Sequence, residues 1–357
     1  MRSEFGKSKR LVIKLGTGVL TDSQKRPDPA QFSQLVEQVA SLRAEGREVV
    51  MVTSGAVGAG MGALGFEQRP REVAALQACA AVGQSRLMSL YEKLFAKHKL
   101  SVAQILLTHE DLEDRVRHRN ARETLLTLLR QGVVPIINEN DVVSVTELKF
   151  GDNDKLSALV ACLLPADLLV ILTTVDGVIE NYGQPGARVL PLIERIDSGV
   201  EKMAGGTTSA TAVGGMATKI LAARMAVRAG IPLVIASGRK TDVLWRIVNG
   251  QEEGTLFQPR KDKLKGHKKW IAFFNHVRGR VCVDDGARQA LLDSKGSLLL
   301  KGVTVVEGHF TAEDVISICD QNGVEFARGQ IHTSADELRK ILGTPPEVIN
   351  RDDLVIL

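Results

Sequence analysis

Six short runs of mostly apolar residues recur along the first 257 residues, with stretches of helical length between them: Arg10 to Lys14, Glu48 to Thr53, Ser101 to Leu107, Val133 to Asn138, Leu168 to Thr173 and Ile231 to Ala236. Strands separated by helices pair in parallel, because each crossover returns the chain to the same end of the sheet. Such a sheet is covered on both faces, so its strands read as unbroken apolar runs instead of alternating ones. The pattern predicts an α/β protein built on a doubly wound, mostly parallel open sheet. One intervening helix carries Val73, Leu76, Ala80, Gly83, Leu87, Leu90 and Leu94 as a single apolar stripe. Its small centre, Ala80 and Gly83, permits a close helix crossing, either in the core or against a second subunit.

The rhythm breaks twice. VVSVTELKF, ending at Phe150, alternates weakly before Gly151 and reads as a short hairpin arm. After Pro259 the chain becomes a basic linker, RKDKLKGHKK, and from Trp270 short strands alternate with Gly and Asn turns. Helices are expected there only at Asp285 to Ser294 and Ser334 to Leu342, with Asn322-Gly323 as a hairpin turn. The expected organisation is one large domain over 1–258, a linker over 259–269 and a small, mainly β domain over 270–357. A chain of 357 residues is long enough for two cores.

Net charge is +4, but Arg260 to Arg280 holds eight Lys/Arg against Asp262, a local +7 that leaves the remainder at −3. The basicity is therefore local and implies no nucleic-acid role for the whole molecule. Cys79, Cys162, Cys282 and Cys319 lie far apart with no CxxC, which excludes a zinc-ribbon or disulfide framework and leaves core thiols. No apolar run reaches the ~18 residues of a membrane span, and MRSEFGKSKR has no apolar signal core behind its charges. The expectation is a cytoplasmic protein.

Gly60-Met61-Gly62-Ala63-Leu64-Gly65 fits GxGxxG, the dinucleotide fingerprint. That fingerprint needs its first glycine in the turn leaving the strand, so that the next helix points at a pyrophosphate. Here the strand ends at Ser54-Gly55, five residues earlier, and the match is out of place. A Walker A loop is excluded too, since Met61 and Gly62 stand where Lys and Ser/Thr are required.

Lys14 closes the first strand ahead of Leu15-Gly16-Thr17-Gly18. A point charge beside open backbone amides suits a phosphate, although a lysine ending a strand can be nothing more than that. Gly214 and Gly215 open the helix that runs to Arg228, with Lys219 in its first turns. A cation there opposes the helix dipole unless an anion lies between, which favours a phosphate site over a plain glycine loop. Asn138-Glu139-Asn140-Asp141 follows one strand, and Gly151-Asp152-Asn153-Asp154 precedes a helix. Asp and Asn fill turns and cap helices, but at strand C-termini of an open sheet they also lie where ligands bind. With no Cys or His beside them, Asp141, Asp152 and Asp154 suit an amine, a hard cation, or lysines that need orientation. Two lysines, two glycine loops and no Walker motif point to phosphoryl transfer by positioning and electrostatics.

KLGTGVL at Lys14, VTSGAVGAG through Gly60, QACAAVGQSRLM, ARETL, VVPIINENDVV, GDNDKLSALVA and GGMATK occur in an order and spacing that resemble the amino-acid kinase family. The tail resembles a PUA domain, and together the two likenesses cover nearly the whole chain. VTSGA, INEND and GDND mark the branch that acts on glutamate, whereas GGMATK marks only the wider superfamily. The resemblance implies the amino-acid kinase fold and ATP-dependent phosphorylation of the γ-carboxylate of L-glutamate, the first step towards proline. It implies that Lys14 and Lys219 stabilise the transferring phosphoryl group while Asp154 orients them. Ser54, Asp141 and Asn153 would bind glutamate, with Asn138 and Asp152 nearby. ATP would lie against Lys14, Gly16, Thr173, Thr174, Gly214, Gly215, Met216 and Lys219, its phosphates carrying Mg²⁺ without a protein metal site. A homo-oligomer, feedback inhibition by proline and a glutamyl-phosphate reductase as consumer of the product are further implications. RNA binding through the tail has no support in the residues themselves. Three departures stand out: Thr174 where the family has Asp, Val213 where it has Thr, and a tail shortened near Gly343-Thr344-Pro345-Pro346. The rival readings are a kinase of the same superfamily acting on acetylglutamate or aspartate, and an RNA-binding protein with a degenerate kinase domain.

Overall fold

The computed structural model describes residues 1–22, 26–144, 153–205, 215–259, 264, 266–274, 277–294, 296–340 and 347–357. It divides into two compact units, Met1–Lys263 and Leu264–Leu357.

The strands of the first unit are β1 (Arg10–Leu15), β2 (Glu48–Val52), β3 (Val102–Leu107), β4 (Val134–Glu139), β5 (Leu168–Thr173), β6 (Ile179–Glu180), β7 (Arg188–Val189), β8 (Leu192–Ile193), β9 (Leu233–Ser237) and β10 (Thr255–Phe257). Its helices are α1 (Thr17–Leu20), α2 (Pro29–Ala44), α3 (Ala56–Leu64), α4 (Val73–Ala96), α5 (His109–Glu113), α6 (Arg115–Arg130), α7 (Asp154–Leu163), α8 (Ser198–Gly205), α9 (Met216–Arg228) and α10 (Val243–Val248). One eight-stranded sheet runs β3-β4-β2-β1-β5-β9-β10-β8. Every pairing from β3 to β9 is parallel; β10 pairs antiparallel with β9, and β8 pairs parallel with β10, so the last two strands run against the rest. The six strands expected from the sequence are those of the parallel part. Val12, Ile13, Val49, Ile136, Leu169, Ile171 and Val234 are fully or almost fully buried, as a sheet covered on both faces requires. The small β6–β7 ribbon stands apart from this sheet.

The chain passes from β1 to β2 on one side and returns at β5 on the other. The order therefore reverses around β1, and the crevice outside the carboxyl ends of β1 and β5 is the place such sheets offer to ligands. Lys14, Gly16 and Thr173 lie at that edge.

The glycines of the false fingerprint have other work. Gly55, at φ +102°, makes the left-handed turn from β2 into α3, and Gly65, at φ +74°, ends that helix. Gly60 lies where α3 crosses α4: a Cβ there would sit 1.8 Å from the Cys79 carbonyl oxygen. From the facing side, a Cβ on Gly83 would sit 1.7 Å from the Ala56 carbonyl oxygen. The small centre of the α4 stripe thus serves a crossing within this chain. Among the described residues, no helix is long and apolar enough to cross a membrane. All four cysteines are buried and none is in a disulfide.

The second unit contains β11 (Gly279–Val283), β12 (Leu298–Leu299), β13 (Val303–Gly308), β14 (Val315–Cys319), β15 (Glu325–Gln330), β16 (Glu347–Ile349) and β17 (Leu354–Ile356). Its helices are α11 (Gly266–Lys269), α12 (Asp285–Ser294) and α13 (Ala335–Lys340). A five-stranded sheet, β13-β11-β14-β15-β17, stands beside a β12-β16 pair. It has its own core, with Val281, Val283, Ile316, Ile318, Ala327 and Ile331 buried together. Asp320 accepts from the backbone N–H groups of Asn322 and Val324, which shapes the β14–β15 turn expected at Asn322-Gly323. The hairpin arm expected near Phe150 lies outside the described residues.

Candidate active site

β1 delivers Lys14 to the sheet edge, and α7 begins there with Asp154 as its first residue. Lys14 Nζ lies 2.6 Å from Asp154 Oδ1, and Lys219 Nζ lies 2.9 Å from Asp154 Oδ2. The side chains are 3%, 6% and 0% exposed for Lys14, Lys219 and Asp154, so water screens little of this interaction. The Thr218 hydroxyl also donates to Asp154 Oδ2, at 3.0 Å. Asp154 suits the positive end of α7, and it is the anion that offsets Lys219 in the first turn of α9. Two ammonium groups around one carboxylate leave these three side chains with a charge of +1. A buried, pre-oriented positive charge of this kind lowers the cost of negative charge developing beside it.

On the other flank Thr53 and Ser54, both buried, directly follow β2. Thr53 is held by its backbone N–H to the Ile137 carbonyl at 2.9 Å and by its hydroxyl, 2.8 Å from Tyr91 Oη. Burial pushes the Tyr91 phenol far up, so it stays protonated. Asn153, immediately before α7, donates from Nδ2 to the Thr53 carbonyl and to Asn138 Oδ1, at 2.7 Å each, with Ser54 Oγ 3.4 Å away. Ser54, Asn138 and Asn153 thus form one buried polar surface. Asp141, past the end of β4, is buried, and its Oδ1 has no hydrogen-bond partner among the described residues. Burial, with Glu139 adding to it and Arg69 opposing, pushes its carboxyl up to about 7. A buried carboxyl oxygen left open in this way is suited to receive an ammonium group.

Thr173 closes β5, and its carbonyl accepts from the Gly238 N–H at 2.9 Å. Thr174 follows, exposed, and packs on the glycine turn after β1: a Cβ on Gly18 would lie 2.8 Å from Thr174 Cγ2. Gly16 leaves room beside Lys14, since a Cβ there would come 3.9 Å from the lysine Nζ and 3.2 Å from the Leu172 carbonyl oxygen. Gly215 is the N-cap of α9 and Met216 its first residue.

Lys14, Asp154 and Lys219 are in direct contact, and Ser54, Asn138 and Asn153 form a second contacting group. Asp152, Gly214 and Val213 lie outside the described residues. Three side chains had no role in the sequence reading: Thr218, Tyr91 and Gln84. Gln84 leaves a trace in the sequence, because it is a polar residue among the apolar positions of the α4 stripe. No group of three His, Cys, Asp or Glu side chains among the described residues is arranged to hold a metal ion.

A model of the amino acid kinase family matches residues 9–237, and a model of the PUA domain matches residues 279–348. The chain is 46% identical to "Glutamate 5-kinase" of Azoarcus sp. over 371 residues, covering all of both sequences. It is equally 46% identical to "Glutamate 5-kinase" of Geobacter sulfurreducens over 373 residues, again covering all of both. Among solved structures, carbamate kinase from Giardia lamblia bound to AMP-PNP superposes with a TM-score of 0.51 at 20% identity, over 71% of this chain and 100% of that one. At that identity the likeness concerns the fold alone.

Proposed function

Because this chain belongs to the amino acid kinase family and carries a PUA domain behind its kinase domain, we propose that it transfers the γ-phosphoryl group of ATP to the γ-carboxylate of L-glutamate, making L-glutamyl 5-phosphate for proline synthesis. The observation that carries this reading is the buried Asp154 held between Lys14 and Lys219.

A γ-carboxylate is already an anionic nucleophile, so no general base is needed. Its oxygen forms the new bond to the γ-phosphorus while the bond from that phosphorus to the bridging oxygen of ADP breaks, and ADP leaves as the anion. The barrier is mainly repulsion between two anions brought together. Lys14 and Lys219 offset it, and Asp154 keeps both ammonium groups aimed at the transferring group. Asp154 is committed to the two lysines and Thr218, so it does not serve as a vacant metal ligand. In this reading Mg²⁺ arrives on the ATP phosphates, and no step depends on a protein metal site. Gly16, Thr173, Thr174, Gly215 and Met216 lie on the nucleotide side, with Gly214 assigned there from the sequence.

Ser54, Asn138 and Asn153 receive the amino acid, with Asp152 assigned from the sequence, and Asp141 takes its free ammonium. Asp141 is what separates this substrate from an N-acetylated one, which has no ammonium to offer. The catalytic domain is residues 1–258, joined by the linker 259–269 to the small domain over 270–357. A cytoplasmic homo-oligomer inhibited by proline, with a reductase drawing off the labile acyl phosphate, completes the proposal. Following ADP release with L-glutamate, L-aspartate and N-acetyl-L-glutamate tests it. Glutamate is expected to support turnover at least about ten-fold faster than the others: N-acetylglutamate has no ammonium for Asp141, and aspartate, which has one, is a methylene too short to carry its side-chain carboxylate to the same place. A preference for N-acetylglutamate or aspartate would overturn the assignment.

A further inference from the structure

The amino-acid flank of the site is built from side-chain amides, and an amide is ambiguous. Its donor and acceptor ends have nearly the same shape, so a buried Asn presents the correct end to a ligand only if its neighbours dictate which way it faces. One group here has no ambiguity: the Thr53 carbonyl can only accept. It therefore draws the Nδ2 end of Asn153, at 2.7 Å. Asn138 must then offer Oδ1 to that same Nδ2, also at 2.7 Å, which turns its own Nδ2 away. That Nδ2 donates to Gln84 Oε1 at 2.9 Å. Gln84 in turn directs its Nε2 to Gln104 Oε1, 3.4 Å away on β3. The sense of every amide follows from the one before it. Asn153 and Asn138 are 0% and 1% exposed and Gln84 9%, so water does not readily replace a missing partner.

We infer that Gln84, on α4 and assigned no role in the reaction above, is a positioning residue that locks Asn138 in the orientation Asn153 selects, by accepting from its outer Nδ2, and so keeps the Asn138–Asn153–Ser54 surface in one arrangement. This rests on the assignment of those three residues to the amino acid. Without an acceptor at position 84, the buried Nδ2 of Asn138 has lost its partner and only Asn153 holds the amide. Neither orientation then satisfies both ends, because turning over opposes the Asn138 Nδ2 to that of Asn153, and the amide surface loses its single defined polarity. The phosphoryl flank, built on Lys14, Asp154 and Lys219, makes none of these bonds.

Two substitutions separate orientation from simple packing. Gln84→Leu removes the acceptor at similar volume, whereas Gln84→Glu keeps an acceptor oxygen for Asn138 while replacing the donor to Gln104 by the second oxygen of an ionisable carboxyl. Gln84→Leu is expected to raise the glutamate KM roughly ten-fold, the effect of one buried donor left unsatisfied. Its ATP KM should not change, and Gln84→Glu should restore most of the glutamate KM. An unchanged glutamate KM in an active, folded Gln84→Leu protein, or equal loss in both variants, would overturn the proposal. Side-chain amide NMR on the ligand-free protein gives a readout independent of the substrate. The Asn138 NH₂ protons should be protected from exchange in the parent and in Gln84→Glu and lose protection in Gln84→Leu. Equal protection in all three overturns the relay. If the relay behaves as expected while glutamate supports no turnover in the parent, the functional assignment fails and the relay stands.

Discussion

In the proposed reading, the substrate ammonium arrives at Asp141, a carboxyl that burial, reinforced by Glu139 and opposed by Arg69, pushes up to about 7. Binding would then require the ionised form, and its population rises about ten-fold between pH 6 and pH 8 for a group titrating near 7. The glutamate KM should therefore fall by about ten-fold over that interval, and Asp141→Asn should show a high KM with the dependence gone. A KM flat with pH in the parent would reject the ammonium role. The same shift has a stability consequence of defined sign. The folded state holds the proton more tightly than the unfolded one, so Asp141 costs stability as pH rises from about 4 through 7. Asp141→Asn should accordingly melt higher than the parent at pH 8 and alike near pH 3. Lys14→Ala and Lys219→Ala should instead lose about 100-fold or more in turnover with the glutamate KM little changed, if both act, as proposed, on charge that develops during transfer. Single-turnover kinetics with saturating substrates would show it. These residues were legible in the sequence as motif members. Their contact was not: Lys219 and Asp154 are 65 positions apart, and only the fold makes one carboxylate serve both lysines. Gln84 was passed over because one polar residue in an apolar helical stripe has many uses.

The crossing of α3 and α4 carries the position of Ser54, since α3 begins directly after Ser54-Gly55. Gly83→Ala would place a Cβ 1.7 Å from the Ala56 carbonyl oxygen and 2.5 Å from the Gly60 nitrogen, both backbone atoms, so a helix must move. The expected loss is about 1–3 kcal/mol or more, typical of overpacking, and a raised glutamate KM should accompany it. Gly62→Ala is the control: a Cβ there meets nothing within 4 Å, and replacing an exposed helical glycine should gain up to ~1 kcal/mol. Denaturant melts of the two variants give both signs, and equal stability would contradict the tight crossing. The parallel strands were readable because burial on both faces makes them long apolar runs. β6, β7 and β8 span two residues each, too few for any periodicity, and were invisible for that reason.

The two compact units have separate cores, and every residue assigned to the reaction precedes residue 259. A chain ending at Gln258 retains β10 and is expected to remain a folded kinase with the parent's glutamate KM. A truncated protein that melts cooperatively but is inactive would assign part of the site or its assembly to the second unit. The change of texture after Pro259 made this division legible, since parallel and antiparallel sheets bury their residues in different patterns. The ligand of the second unit was not legible, because a small β fold reports its own packing and little of what it binds. For the molecule as a whole, the central claim is that an acyl phosphate forms on the side-chain carboxylate of glutamate. Hydroxylamine traps such a species as a hydroxamate. Incubated with ATP, Mg²⁺, L-glutamate and hydroxylamine, the protein should yield L-glutamate γ-hydroxamate in step with ADP, and Lys219→Ala should yield almost none. ADP release with no hydroxamate, or a hydroxamate on the α-carboxyl, would contradict the account.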